Sequence, residues 1–260
     1  MRKHIYSFIT IGLISFFAAA CASNSETEKR AAPVNPALIA ENIAKADALF
    51  RQREDVGKLR EAVQTLANVR NPDARNFEVE WKFAEYNYFL GKQLTDDKES
   101  DKAFTNGGQA AQIAERLEPN KPDGYFWYAA NLGEQADRSP ITVGVKSIDE
   151  IRAAMTKVIE IQPDYQGASA YDALGRLELE TEMMGGSAEK AVEYLEKGVE
   201  IEKDNSYLRL HLAQAYLETN RKADAKKQLE YILQMKPQPD FALEYKETDD
   251  EAKKMLETKF

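Results

Sequence analysis

The sequence predicts an all-α protein, a chain of stacked helical hairpins forming an α-solenoid or compact superhelix of about eleven helices. Three observations carry that expectation. From Pro36 onward apolar residues recur every three and four positions, as in Ile43, Ala46, Leu49 and Phe50, then Val63, Leu66 and Ala67. Helix breakers return at similar intervals: Pro72, Pro119, Pro163, the Lys203-Asp204-Asn205 stretch and Pro237, about 34 to 47 residues apart. Period-two alternation of the strand type is almost wholly missing, and thirteen glycines with nine prolines in 260 residues leave room for long helices.

The first element is a targeting signal. Arg2 and Lys3 form a basic start, and Ile5 to Phe17 an apolar stretch too short for the ~20 residues a bilayer span needs. Ala18-Ala19-Ala20 leads directly to Cys21, the one cysteine of the chain. Residues 1–20 are therefore expected to be a lipoprotein signal peptide, because the junction resembles a bacterial lipobox in which the cysteine is acylated and becomes the first mature residue. The other reading of the same residues is cleavage after an A-x-A site, leaving Cys21 a free thiol. Several acyl chains on Cys21, each adding about 0.8 kcal/mol per buried methylene, would anchor the protein to a membrane. By the same resemblance, Ala22 after the cysteine implies the periplasmic side of the envelope, at the outer membrane. Residues 21–35 lack apolar periodicity and read as a flexible tether.

Residues 36–260 form the repeat domain. Segments 36–52 and 55–70 make a first hairpin. The clearest unit runs from Ser206 to Pro237, with Leu212, Ala213, Tyr216, Ala225, Leu229, Ile232 and Pro237 at tetratricopeptide positions 7, 8, 11, 20, 24, 27 and 32. Small residues at positions 8 and 20 let the two helices cross closely, and bulky ones at 4, 7, 11 and 24 fill the layer between hairpins. The preceding unit has Tyr171, Leu174 and Gly175, then an insertion around Met183-Met184-Gly185-Gly186 before Ala191 and Leu195. Two earlier units, marked by Trp81, Ala84 and Tyr88 and by Tyr125, Tyr128, Ala129 and Leu132, carry about ten extra residues each, including the Arg138 to Lys146 connection. Arg209 at position 4 and Glu85 at position 8 make the repeats degenerate. Phe241–Thr258 reads as a terminal helix that caps the stack.

The residue inventory points away from an enzyme. One cysteine excludes Cys-cluster metal sites, and after processing His211 is the sole histidine, so paired-histidine catalysis and multi-histidine metal sites have no residues to use. His211 itself reads as a surface residue. Gly107-Gly108 and Gly185-Gly186 lack the lysine and spacing of a phosphate loop and read as hairpin turns. The acidic runs at Asp96–Asp101 and Asp249–Glu251 read as solvated loops and helix starts. No catalytic residue, metal or cofactor is expected. A formal charge of −9, more negative once Arg2 and Lys3 are removed, gives no basic surface for nucleic acid.

The concave face of such a stack is the binding surface. Positions 2, 5, 9 and 12 of the first helices give Val79, Tyr86 and Phe89, then Phe126 and Ala130, then Arg176, then Tyr207, Leu210 and Leu217 as its lining. That set is aromatic and aliphatic where a clamp for a peptide carboxylate would be basic. It fits either an apolar groove or side chains covered by the neighbouring turn of the superhelix.

The chain resembles the T-component family of periplasmic TRAP transporters (TatT), tetratricopeptide-type lipoproteins. The resemblance rests on Ala46-Asp47-Ala48-Leu49-Phe50 with Arg53 and Asp55, on Gly124 to Gly133 (GYFWYAANLG), on Ala173 to Leu177, and on Gly185-Gly186-Ser187 with Lys190-Ala191. It implies a lipid-anchored scaffold that associates with a periplasmic solute-binding protein, forms a homotrimer, and takes part in uptake of an organic acid or a more hydrophobic solute. The alternative from the repeats alone is a general scaffold lipoprotein in envelope or outer-membrane assembly.

Overall fold

The structure is a computed structural model and describes residues 35–236 and 242–260. The expected signal peptide (1–20), Cys21 and all but the last residue of the tether lie outside them. Among the described residues there are eleven α-helices and no strand, as the periodicity predicts: α1 Pro36–Phe50, α2 Val56–Ala67, α3 Phe77–Gln93, α4 Asp97–Leu117, α5 Asp123–Arg138, α6 Val145–Ile161, α7 Tyr165–Glu180, α8 Ala188–Ile201, α9 Ser206–Glu218, α10 Lys222–Gln234 and α11 Ala242–Lys259. None of them is long and apolar enough to cross a membrane.

Local chemistry sets most of the helix starts. Asn35, Asp55, Asn76, Asp96, Ser187 and Asn205 each accept a backbone N–H of the first turn of the helix that follows. Each such cap typically contributes about 1 kcal/mol. The Pro140 connection is a π-helical turn, Pro140–Gly144, that runs straight into α6. A 3₁₀ turn, Glu182–Met184, followed by Gly185 at φ 100°, reverses the chain between α7 and α8, as its glycine pair suggests.

Two expectations need correction. Gly107-Gly108 is not a turn but lies inside α4. A Cβ on Gly107 would fall 2.2 Å from Asn131 Oδ1, so the glycine is there to let α5 press its buried asparagine against α4. Asp249–Glu251 is likewise no helix start; it lies within α11.

Successive helices pair as antiparallel hairpins, and first helices also stack on first helices, α3 on α5 and α7 on α9. One core cluster runs from Ile43 to Leu177, and a second from Ala168 to Met255. The capping helix α11 packs on α9 and α10. From there Glu244 reaches Arg53, just past α1, at 3.1 Å. The superhelix thus curls until its last helix meets its first hairpin, and the concave face becomes a partly open cavity.

Candidate functional site

That space is a cavity of about 1080 Å³, walled by α3, α5, α6, α7, α9 and α11. Its floor is aromatic. Tyr88 and Phe89 of α3 meet edge to face at 5.3 Å, as do Phe126 and Trp127 of α5 at 5.0 Å. Tyr88 and Trp127 join the two helices at 5.7 Å between ring centres. Ile148, Ile151 and Met155 of α6 supply an aliphatic wall.

Polar groups sit above this floor. On α3 and α5, Lys92 pairs with Glu134 at 3.2 Å, and the Tyr88 hydroxyl donates to Glu134 at 3.4 Å. Arg176 of α7 holds Glu180 at 2.8 Å and reaches Asp137 at 3.9 Å. Loss of solvation and the charge of Glu180 push the Asp137 carboxyl up. From α9, His211 Nδ1 lies 2.6 Å from Asp172 Oδ1, and its ring stacks on Tyr207. The Tyr207 hydroxyl donates to Glu247 of α11, and burial and that carboxylate raise its pKa.

The start of α7 shapes one side of the wall. Gln166, Gly167 and Ala168 are left-handed, with φ of 49°, 63° and 60°. For the two non-glycines this costs about 1–2 kcal/mol each. The turn is held by Tyr165, whose hydroxyl donates to Asp123 at 3.0 Å, and by Asn205, whose side-chain amide donates to the Gly167 carbonyl at 2.7 Å. Gln166 and Gly167 thereby face the cavity.

Of the concave residues read from the sequence, the structure brings Phe89, Phe126, Ala130, Arg176 and Tyr207 to the cavity. The other four do not reach it. Val79 and Tyr86 are covered by the first hairpin: Tyr86 stacks on Phe50 at 4.1 Å and its hydroxyl donates to Asp47. Leu210 is buried in the second core cluster, and Leu217 packs against that cluster. Those side chains are core, because the helix packed above them occupies the face that repeat numbering assigns to a ligand.

Sequence reasoning missed more of the site than it misplaced. His211 is half-buried and bonded to an aspartate, not a plain surface residue, but its partner lies 39 residues away. Trp127, Glu134 and Asp137 sit outside the numbered concave positions, and α6 is a second helix of a hairpin, which the numbering does not place on the concave face. Glu244, Tyr245 and Glu247 arrive only because α11 folds back. The GYFWYAANLG stretch was the available signal, since it carries Phe126, Trp127 and Ala130 together.

Comparison with known proteins divides the chain in the same place as its cores. The family described as Regulator of microtubule dynamics protein 1-3 matches residues 42–186, more than half of the chain. A tetratricopeptide-repeat model matches residues 182–243. No curated protein sequence matches. Among solved structures, a thermophilic TPR protein of Thermus thermophilus is similar with a TM-score of 0.59 at 15% identity, over 80% of this chain and 97% of that one. MamA is similar with a TM-score of 0.49 at 16% identity, over 76% of this chain and 91% of that one. The repeat-model match and the Thermus thermophilus likeness make the fold one of the tetratricopeptide type, a scaffold suited to binding other proteins. The chain belongs to the family of the Regulator of microtubule dynamics protein 1-3 model.

Proposed function

We propose that this member of the family is a non-catalytic, lipid-anchored scaffold that holds an apolar-bodied solute in its cavity and docks a partner protein at the cavity mouth. The anchored scaffold and its partner, a periplasmic solute-binding protein of a TRAP transporter, are what the T-component resemblance implies; the solute cavity is this reading's addition. The observation that carries the reading is the partly open, aromatic-floored space of about 1080 Å³, large enough for a solute and shaped by six helices. Its lining adds support. Val145 and Met184, both more than half exposed, are among the residues lining the space, and the fully exposed Met183 precedes Met184 in the chain. Large exposed apolar groups beside a binding cavity suit a protein partner.

The membrane link is the acylated Cys21, on the periplasmic side of the envelope and at the outer membrane. Under this reading the microtubule role in the family's name does not carry over, because an exported protein shares no compartment with microtubules. Replacing Cys21 with Ser should move the chain from the membrane fraction to the soluble periplasmic fraction; unchanged membrane retention would remove the anchor from the proposal. Crosslinking the acylated protein in its own envelope, followed by mass spectrometry, tests the partner. Recovery of a solute-binding protein supports the transport reading, and sedimentation of the same material reports the homotrimer. Recovery of outer-membrane assembly components alone would replace it with a general envelope scaffold.

A further inference from the structure

Resting on the cavity of the proposed function, we infer that its ligand is a small organic cation with an apolar body, not the organic acid that the T-component resemblance implies. Nine carboxylates line the cavity, against two permanently cationic side chains, Lys92 and Arg176. Both cations are already committed: Lys92 to Glu134, and Arg176 to Glu180 with Asp137 within reach. Those three carboxylates outnumber the two cations that serve them. An incoming carboxylate would find no uncommitted cation there and would meet Glu134 and Asp137 on the same face of α5. A substituted ammonium meets the opposite situation, with acidic groups above aromatic rings that attract cations through their faces.

A second observation, independent of charge, bears on the body of the ligand. Trp127 is only 3% exposed and lines the cavity. Its indole N–H is buried and has no acceptor among the described residues. What Trp127 offers the cavity is its ring, and Tyr88, 5.7 Å away between rings, links that ring to Glu134. The geometry thus specifies a cationic head at Glu134 and Asp137 and an apolar body on Phe89, Phe126 and Trp127. Metal ions are a poorer fit. Among the described residues no three carboxylate, histidine or cysteine side chains converge as a metal site, so the acidity is spread as a large organic cation would need.

The test uses the mature full-length chain carrying Trp81→Phe, which leaves Trp127 as the one indole of the protein. Decyltrimethylammonium and decanoate, of equal chain length and below micelle concentration, are titrated at pH 7 and low salt by calorimetry, with Trp127 emission reporting the site. The expected result is saturable binding of the cation at least about tenfold tighter than of the carboxylate, weakening as salt rises. A Glu134→Gln, Asp137→Asn variant, checked for intact helicity, should erase most of that preference while keeping the response of Trp127. Equal or tighter binding of decanoate would overturn the charge inference and leave the cavity reading intact. Failure of every probe to bind a folded protein would overturn the cavity reading itself. A lysine-rich decapeptide binding more tightly than decyltrimethylammonium would replace the small cation with a basic segment of a partner.

Discussion

The two halves of the repeat domain solve one packing problem in different ways. In the second half, α8, α9 and α10 have 14, 13 and 13 residues, and the core they share is mostly aliphatic, Leu195, Leu208, Leu212, Ala213, Leu229 and Ile232 with Tyr216 as the buried ring among them. In the first half α3 and α4 have 17 and 21 residues. Its core takes in Phe83, Tyr86, Phe104 and Trp127, with Glu80, Asn87, Asn131 and Glu178 buried among them. Mostly small and branched residues set the regular hairpins at one close spacing, and that half supplies the smaller part of the cavity wall. Aromatic rings and longer helices make the first-half hairpins irregular, although their helices still cross closely at Gly107 and Gly124, and most of the cavity wall comes from them. Departure from the repeat, more than the repeat itself, makes the site.

The sharpest way to break this comparison is at the glycines of close approach. A Cβ on Gly124, at the start of α5, would lie 2.4 Å from the backbone nitrogen of Glu115, which cannot rotate away. On Gly198 of α8 it would lie 2.5 Å from a terminal methyl of Leu208, which can. Gly124→Ala should therefore cost about 3 kcal/mol in urea unfolding, and Gly198→Ala about 1 kcal/mol. Equal losses would mean that the irregular half is no more rigidly interlocked than the regular one.

Buried charge gives the next contrast. Glu80 is fully buried and receives Arg70 at 2.6 Å and Arg75 at 2.9 Å, with Arg70 also lying over the Phe83 ring. Its counterpart in the regular half, Glu196, meets Arg221 at 3.1 Å with both side chains more than 40% exposed. Glu80→Ala should cost about 2–3 kcal/mol, since it strands two partly buried guanidinium groups, whereas Glu196→Gln should stay within about 0.5 kcal/mol. Thermal melts at two salt concentrations check both, because only the exposed pair should respond strongly to screening.

The same division governs what the sequence could reveal. The α9–α10 hairpin was readable residue by residue: Leu212, Ala213, Tyr216, Ala225, Leu229 and Ile232 are all buried where the repeat positions require. Such positions depend on neighbours within a few dozen residues, and periodicity reports those directly. The site was readable only in part. Phe126 and Tyr207 fell on numbered concave positions, but Val79 and Tyr86 on equivalent ones went to the core, because α1 covers that turn. Nothing local distinguishes the two outcomes. Gly107 was misread for a related reason: glycine for a turn and glycine for a helix crossing look alike until Asn131, on another helix, is known to press against it. His211–Asp172 and Arg53–Glu244 depend on the path of the whole superhelix, which no window of sequence contains.

The smallest effect is a slope rather than a loss. Among the described residues, the carboxyls that burial pushes up, Glu85, Glu115 and Asp137, all belong to the first half. Those drawn down, Glu189 by Ser187 and Asp224 by Lys227 and Arg221, belong to the second. Glu85 is raised to about 8, chiefly by burial, with the Asp47 charge adding to the rise and the Lys82 charge opposing it. The folded chain therefore keeps a proton that the unfolded chain releases near its ordinary 4.5. Across that window stability falls as pH rises, and above about 8 this group adds no further slope. Glu189 and Asp224 act in the opposite sense, adding stability above the ordinary carboxylate range and losing it as pH falls. Glu85→Gln, which mimics the neutral acid, should leave stability unchanged at pH 4 and raise it on the order of 1–2 kcal/mol at pH 9. Denaturant midpoints measured at both pH values decide the matter. Parallel profiles for variant and parent would show that Glu85 is solvated after all, and that the two halves titrate alike.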